Sequence, residues 1–386
     1  MTSITNKKVL DYYDNICKEW NYTPSTDKST GYEHVYNDLK KLSKEEWNKA
    51  DDAGKKKIQQ DVFDIYRSIG TLPITYFSLD GCVKELLNLN KKESKIDQNK
   101  TLSTGKTAGQ QFCRFWFPNM QEAKTFNYDE VSLRHRFNND KKLKAAIKIC
   151  YQYRNEGENA VMPKSILRAL DLTGGGTIQN FKPMNARAIF EYICPTMFGS
   201  VLDFSSGYGG RMLGAMTSPV FKFNYTGIDP NTKTYNGLDA LGSLLDEAGL
   251  GSGYQMNNCG SEDFVPEKGK YDAAFSSPPY FNLEIYCDEP TQCMNKYTNL
   301  DAWFDHYAEP TIQMLHRGLV KDGIYAVNIA DYDQFAITDR WIEISEKLNF
   351  KHVETIKMML NVRPGKGNNK KQKGFKHEGV FVFRKT

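Results

Sequence analysis

The chain has 386 residues, with 51 lysines and arginines against 47 aspartates and glutamates, a formal net charge of +4. Its 40% hydrophobic and 13% aromatic residues can build a large core, which excludes global disorder, and no apolar run reaches the ~18 residues needed to span a bilayer. The charge is unevenly spread: residues 1–180 hold 29 basic and 23 acidic side chains, residues 181–386 hold 22 and 24. A basic first half is the direction expected of a part that meets a polyanion. The opening MTSITNKKVLDYYDN has no apolar signal core, so a protein of the cytoplasm, without a membrane partner, is expected.

In chain order, residues 1–178 read as a mainly helical extension or domain. Amphipathic stretches at 40–66 and 141–154 are broken by TLSTGKTAGQ and LTGGGT. Within it, GQQFCRFWFPNM (109–120) gathers four aromatics around Arg114, and SLRHRF (132–137) sets Arg134 and Arg136 beside a ring. Aromatics interleaved with arginine suit base stacking and phosphate contact; the same pattern also suits a half-buried strand of core aromatics. Residues 179–386 alternate strand and helix. Strands are expected at 200–204, 223–228, 254–258, 271–275 and 323–329, helices at 232–248 and 300–315, and a closing antiparallel hairpin at the sheet edge. That alternation predicts an α/β fold with a parallel sheet covered on both faces.

The eight cysteines form no Cys-x-x-Cys pair and the six histidines no metal spacing, so reduced thiols and no metal site are expected. The chemistry lies in VLDFSSGYGGRMLGAM (201–216), where a strand ends in Asp203 and a turn with Gly207 and Gly209 opens a helix. Such a turn lets a ligand approach the backbone closely. It lacks the third glycine of the dinucleotide fingerprint and the Lys-Ser/Thr of a phosphate loop. Asp229 ends the next strand, 22 residues after Gly207, where a carboxylate suits ribose hydroxyls; Glu262 or Asp263 follows the third strand, placed for an adenine ring. FSSPPYFNLEIY (275–286) then ends a strand in two prolines, which leaves carbonyls free to accept, with Tyr280 offering a flat face.

DFSSGYGG together with SSPPY resembles the S-adenosylmethionine-dependent amino-methyltransferases of nucleic acids, above all the N4-cytosine/N6-adenine DNA methylases of bacteria and phages, the restriction-modification type. The resemblance covers about half the chain and implies a Rossmann-like, seven-stranded methyltransferase sheet. NFKPMNARAIFEYI (180–193) is similar to the preceding cofactor motif, with Phe181 and Pro183 at its marked places. Carried over, Asp203, Gly207 and Gly209 would hold the methionine part of the cofactor, Asp229 the ribose, and Glu262 or Asp263 the adenine. Ser277 and the Pro278 carbonyl would accept from the target amine ahead of Pro279, and Tyr280 would stack on a base flipped from duplex DNA.

Cytosine C5 chemistry would need a nucleophilic cysteine after a proline, and the one adjacent pair, Cys194-Pro195, is reversed. Only about 70 residues separate Gly207 from Ser277 and about 105 follow Tyr280, so target recognition is expected from residues 1–178. The loop 363–376, with six basic and no acidic residues, would help through Arg363, Lys366, Lys370, Lys371 and Lys373. Ser277 in place of aspartate leans toward cytosine N4. An RNA amino-methyltransferase and a non-catalytic nucleic-acid-binding module with this fold are the alternatives.

Overall fold

The computed structural model describes residues 4–24, 28–29, 32–103, 107–125, 131–153, 159–173, 178–332, 335–359 and 377–386. Seven strands build the central sheet: β1 (Ser200–Asp203), β2 (Asn224–Ile228), β3 (Tyr254–Asn257), β4 (Tyr271–Ser276), β5 (Leu319–Ile329), β6 (Phe350–Met359) and β7 (His377–Lys385). Their order is β6-β7-β5-β4-β1-β2-β3, parallel except for β7, which runs antiparallel to both neighbours. The fold is α/β and Rossmann-like. An eighth strand of two residues, Thr101–Leu102, comes from the first half of the chain and pairs with Lys357 and Met358 of β6.

The last two strands pair as the expected antiparallel hairpin at one end of the sheet, with β7 on the inner side between β5 and β6. Its composition explains the place: Val380, Val382 and Phe383 are all buried, and a strand covered on both faces belongs inside the sheet. Chain direction across the sheet reverses between β4 and β1, with β2 and β3 on one side and β5 on the other. At such a switch point the loops leaving neighbouring strands diverge and open a crevice at the carboxyl ends.

Two expected helices are interrupted for local reasons. The stretch 40–66 falls into pieces ending with Lys44–Lys49 and Asp52–Ile69, because Ser43 and Asp51 cap new helices by accepting from Glu46 N–H (3.3 Å) and Gly54 N–H (2.8 Å). The stretch 300–315 passes through a wide π turn, Phe304–Ala308, before Glu309–Gly318. Pro310 has no N–H to offer the His306 carbonyl, which accepts the Tyr297 hydroxyl at 3.0 Å instead.

One hydrophobic core runs through both halves, joining Trp20, Phe115 and Trp116 to Met212, Leu241 and Val382. A second, on the other sheet face, contains Leu202, Trp303, Tyr325, Trp341 and Phe383. The helices Pro183–Ile193 and Gly210–Met216 cross at very close range over glycine. A β-carbon on Gly210 would lie 2.0 Å from the Phe181 carbonyl, and one on Gly214 2.5 Å from the Pro183 carbonyl. Gly210→Ala is therefore expected to cost about 1–3 kcal/mol through forced backbone movement. An unchanged urea midpoint would refute this close approach. Among the described residues no helix is long and apolar enough to cross a membrane, and no group of three metal-ligating side chains occurs.

Candidate active site

β1 delivers Asp203 to the crevice, and the chain then turns through Gly207 (φ 57°) and Gly209 (φ 74°) into the Gly210–Met216 helix. Both glycines adopt the left-handed conformation that other residues avoid. A β-carbon on Gly209 would meet the Phe117 ring at 2.7 Å, whereas one on Gly207 would find only the Arg211 guanidinium, at 3.8 Å. The open side of the turn is thus at Gly207.

Asp203 is wholly buried. Its carboxylate accepts from Arg211 Nε (3.0 Å to each oxygen), the Tyr225 hydroxyl of β2 (2.7 Å) and the Ser276 hydroxyl of β4 (2.8 Å). Arg211 in turn donates to the Ser205 carbonyl within the turn. The residue assigned by resemblance to the methionine end of a cofactor is saturated by partners in its own chain, and ties three adjacent strands to the turn.

Asp229 sits at the end of β2 and is almost fully buried. One oxygen accepts the Gly207 N–H at 2.8 Å and the other the Asn231 N–H at 3.0 Å. The two positions 22 residues apart in sequence are therefore directly bonded. Burial pushes the Asp229 carboxyl up to about 6, against the opposing pull of these two N–H donors.

The short Ser261–Asp263 turn after β3 separates the two adenine candidates. The Asp263 side chain is largely exposed and pairs with Lys296 at 3.0 Å. The Glu262 side chain is only 6% exposed; its Oε1 is engaged by Lys296 and by the Tyr297 hydroxyl (2.7 Å), while its buried Oε2 has no hydrogen-bond partner among the described residues. The Tyr208 hydroxyl, on the glycine turn, is likewise buried without a partner among them. A buried polar atom left unpaired costs free energy, so Glu262 Oε2 is an acceptor that a bound donor would satisfy.

β4 ends at Ser276, and Ser277-Pro-Pro-Tyr280 leaves the sheet beside the glycine turn. The Pro278 carbonyl receives no hydrogen bond from the described residues. Ser277 Oγ lies 3.4 Å from Asn328 Oδ1, and the Tyr280 hydroxyl donates to the Asn328 main-chain carbonyl at 3.1 Å. Phe281 then takes a left-handed φ of 45°, with its N–H on the Pro279 carbonyl, so the loop bends sharply. The following segment folds back over the Asp229 corner. Glu289 accepts from the N–H and hydroxyl of Thr232, and Thr291 donates to the Pro230 carbonyl. Beside it, Glu284 accepts the Tyr286 hydroxyl, and burial, with Glu378 nearby, pushes its carboxyl up.

Phe181 and Pro183 flank the turn from outside. The Phe181 ring packs edge-on against Phe275 (5.3 Å) and lies under Arg211 (5.8 Å), and Pro183 opens its helix, where a missing N–H is harmless. Asn328, Glu289, Lys296 and Tyr297 were not singled out from sequence. Asn328 lies 51 residues from Ser277 and Glu289 57 from Thr232, while Lys296, at the end of the one-turn helix Cys293–Lys296, and Tyr297 lie 34 and 35 from Glu262, separations that no local periodicity encodes.

The segment 109–120 has the core arrangement. It is a helix, Gln110–Trp116, not a strand; Phe112, Phe115, Trp116 and Phe117 are fully buried, and Trp116 Nε1 donates to the Gly237 carbonyl at 2.9 Å. Arg114 beside them is half-buried, and desolvation lowers its pKa. Arg134 pairs with Glu122 (2.5 Å) and Glu19 (3.6 Å) over the Trp20 ring, and Arg136 is buried. As placed, the Arg134 and Arg136 guanidinium groups serve contacts inside the chain, not an open basic face. Arg363, Lys366, Lys370, Lys371 and Lys373 lie outside the described residues.

No family model and no curated protein matches the chain. Among solved structures it is similar to a TehB-like SAM-dependent methyltransferase from Corynebacterium glutamicum, with 13% identity over 54% of this chain and 90% of that one, at a TM-score of 0.34. It is also similar to the 1,6-didemethyltoxoflavin-N1-methyltransferase of Burkholderia thailandensis solved with S-adenosylhomocysteine (15% identity, 53% and 78% covered, TM-score 0.35). A third is TrmN from Thermus thermophilus (16% identity, 53% and 49% covered, TM-score 0.34).

Proposed function

We propose that this chain transfers a methyl group from S-adenosylmethionine to the exocyclic amine of a base in DNA, cytosine N4 ahead of adenine N6. The observation that carries the reading is the meeting of two loops at one switch point. The Ser276 hydroxyl bonds Asp203 at 2.8 Å, so the glycine turn and Ser-Pro-Pro-Tyr emerge side by side from paired strands.

S-Adenosylmethionine, when bound, supplies a methyl made electrophilic by its cationic sulfur. Asp229 would accept from the ribose hydroxyls and Glu262 Oε2 from the adenine amine, while the open side of Gly207 admits the ligand to the backbone. The amine of a base is a weak nucleophile because its lone pair is delocalised into the ring. The free Pro278 carbonyl and the Ser277 hydroxyl oxygen accept from its two hydrogens, favour a tetrahedral nitrogen and stabilise the positive charge that grows on it. The Tyr280 ring offers a stacking surface that offsets part of the cost of extruding the base.

Incubation with labelled S-adenosylmethionine and duplex DNA, single-stranded DNA or RNA, followed by nucleoside mass spectrometry, tests this directly. N4-methylcytosine or N6-methyladenine in DNA is expected. Label only in RNA would move the substrate to RNA, and cofactor binding with no label anywhere would leave a binding module. Ser277→Ala is expected to lower kcat by about 10²-fold with cofactor affinity unchanged. Full activity in Ser277→Ala combined with Tyr280→Ala would refute the site.

A further inference from the structure

Asn328 stands one residue before the end of β5 in a run that is otherwise apolar; Ala326, Val327 and Ile329 are fully buried and Asn328 is 2% exposed. Burying an amide costs about 1–3 kcal/mol unless it is hydrogen-bonded. Its Nδ2 donates to the Gly379 carbonyl of β7 at 3.0 Å. A main-chain carbonyl only accepts, so this bond fixes which end of the amide faces β7. Oδ1 therefore faces the Ser-Pro-Pro-Tyr loop, where Ser277 Oγ and the Tyr280 hydroxyl each lie 3.4 Å from it. Tyr280 also reaches the Asn328 main-chain carbonyl, at 3.1 Å. Both acceptors belong to one residue, and each hydroxyl has a single hydrogen to give.

We propose that Asn328 is a positioning residue that draws the Ser277 hydrogen to itself, so that Ser277 presents only lone pairs to the substrate and the pocket selects an exocyclic NH₂ over a carbonyl oxygen. This rests on the amino-methyltransferase reading above. A freely rotating hydroxyl would donate to a base carbonyl as readily as it accepts from an amine. Held by Asn328 it can only accept, and a keto base at the same place would set lone pair against lone pair. Burial keeps the Tyr280 phenol protonated far above its ordinary range, so Tyr280 remains a donor toward Asn328 throughout the working pH range.

A mutant cycle tests the coupling: wild type, Asn328→Ala, Ser277→Ala/Tyr280→Phe, and the triple variant. For each, kcat and KM on duplex DNA carrying a methylatable amine are measured, with S-adenosylmethionine affinity by calorimetry. Asn328→Ala is expected to lower kcat about 10–100-fold in the wild-type background, with KM and cofactor affinity unchanged, and less than about twofold once both hydroxyls are gone. Equal losses in both backgrounds, or a loss carried by cofactor affinity, overturn the proposal. Asn328→Leu, matched in heavy-atom count and branching, is scored the same way if the alanine variant does not fold. As an independent readout, duplexes with a keto base in place of the target should inhibit the wild type weakly and Asn328→Ala about tenfold better. Undiminished discrimination in the variant overturns the proposal as well. A wild type that methylates no amine refutes the underlying reading, whereas one that methylates it with an additive cycle refutes only the role of Asn328.

Discussion

Asp203→Ala is expected to cost about 3–5 kcal/mol of folding stability, read as a fall in the urea midpoint at unchanged m-value. The cause is what the substitution strands. The Arg211 side chain is 6% exposed and loses its carboxylate, while the Tyr225 and Ser276 hydroxyls lose their acceptor in a buried place. A buried charge without its partner is far more costly than the pair was favourable, so Asp203→Leu with Arg211→Met should recover much of the loss. If Asp203 instead served the cofactor directly, as the family resemblance implies, the alanine variant would keep its midpoint and lose only affinity. That outcome would overturn the structural role assigned to it here.

Asp229→Ala is expected to weaken S-adenosylmethionine binding by roughly 10²–10⁴-fold in calorimetry. Two hydrogen bonds from ribose hydroxyls to a charged acceptor contribute about 1.5–3 kcal/mol each. Acidification should show the same dependence in the unmodified protein. The carboxyl is raised to about 6, and its protonated form offers the ribose one acceptor fewer. Affinity should therefore hold above pH 6 and fall below it, approaching tenfold per unit. The stability sign is opposite to that of most aspartates. A folded pKa above the unfolded value of about 3.9 means that the folded state binds the proton more tightly, so this group destabilises the ligand-free protein as pH rises from about 4 through 6 and is relieved on acidification. Affinity independent of pH between 4.5 and 8, together with a binding-competent Asp229→Ala, would remove Asp229 from the site.

The strands of the second half were legible because each is a short Val/Ile/Tyr/Phe-rich run between breakers; β1 to β5 all lie where those runs are. The glycine turn, Asp229 and the Ser-Pro-Pro-Tyr loop were also legible, since turn geometry and strand ends are written in local residues such as Gly207, Gly209 and Pro278-Pro279. Segment 109–120 was ambiguous. Four aromatics beside an arginine satisfy a stacking surface and a core equally well, and only the neighbouring Gly209 and Gly237, against which Phe117 packs, decide for the core.

The alternation of strand and helix, the left-handed glycines, the glycine turn and the Ser-Pro-Pro-Tyr loop could all be read from residues within a few positions of one another. Packing between distant segments is what saturates Asp203 with Arg211, Tyr225 and Ser276, turns Glu262 inward and Asp263 outward, and sets Asn328 behind Ser277. It also puts β7 inside the sheet and Arg136 inside the molecule. The physical reason is common to all of these. Whether a polar side chain meets a ligand or a neighbour depends on which donors and acceptors distant strands bring within about 3 Å, and local pattern carries no record of that distance.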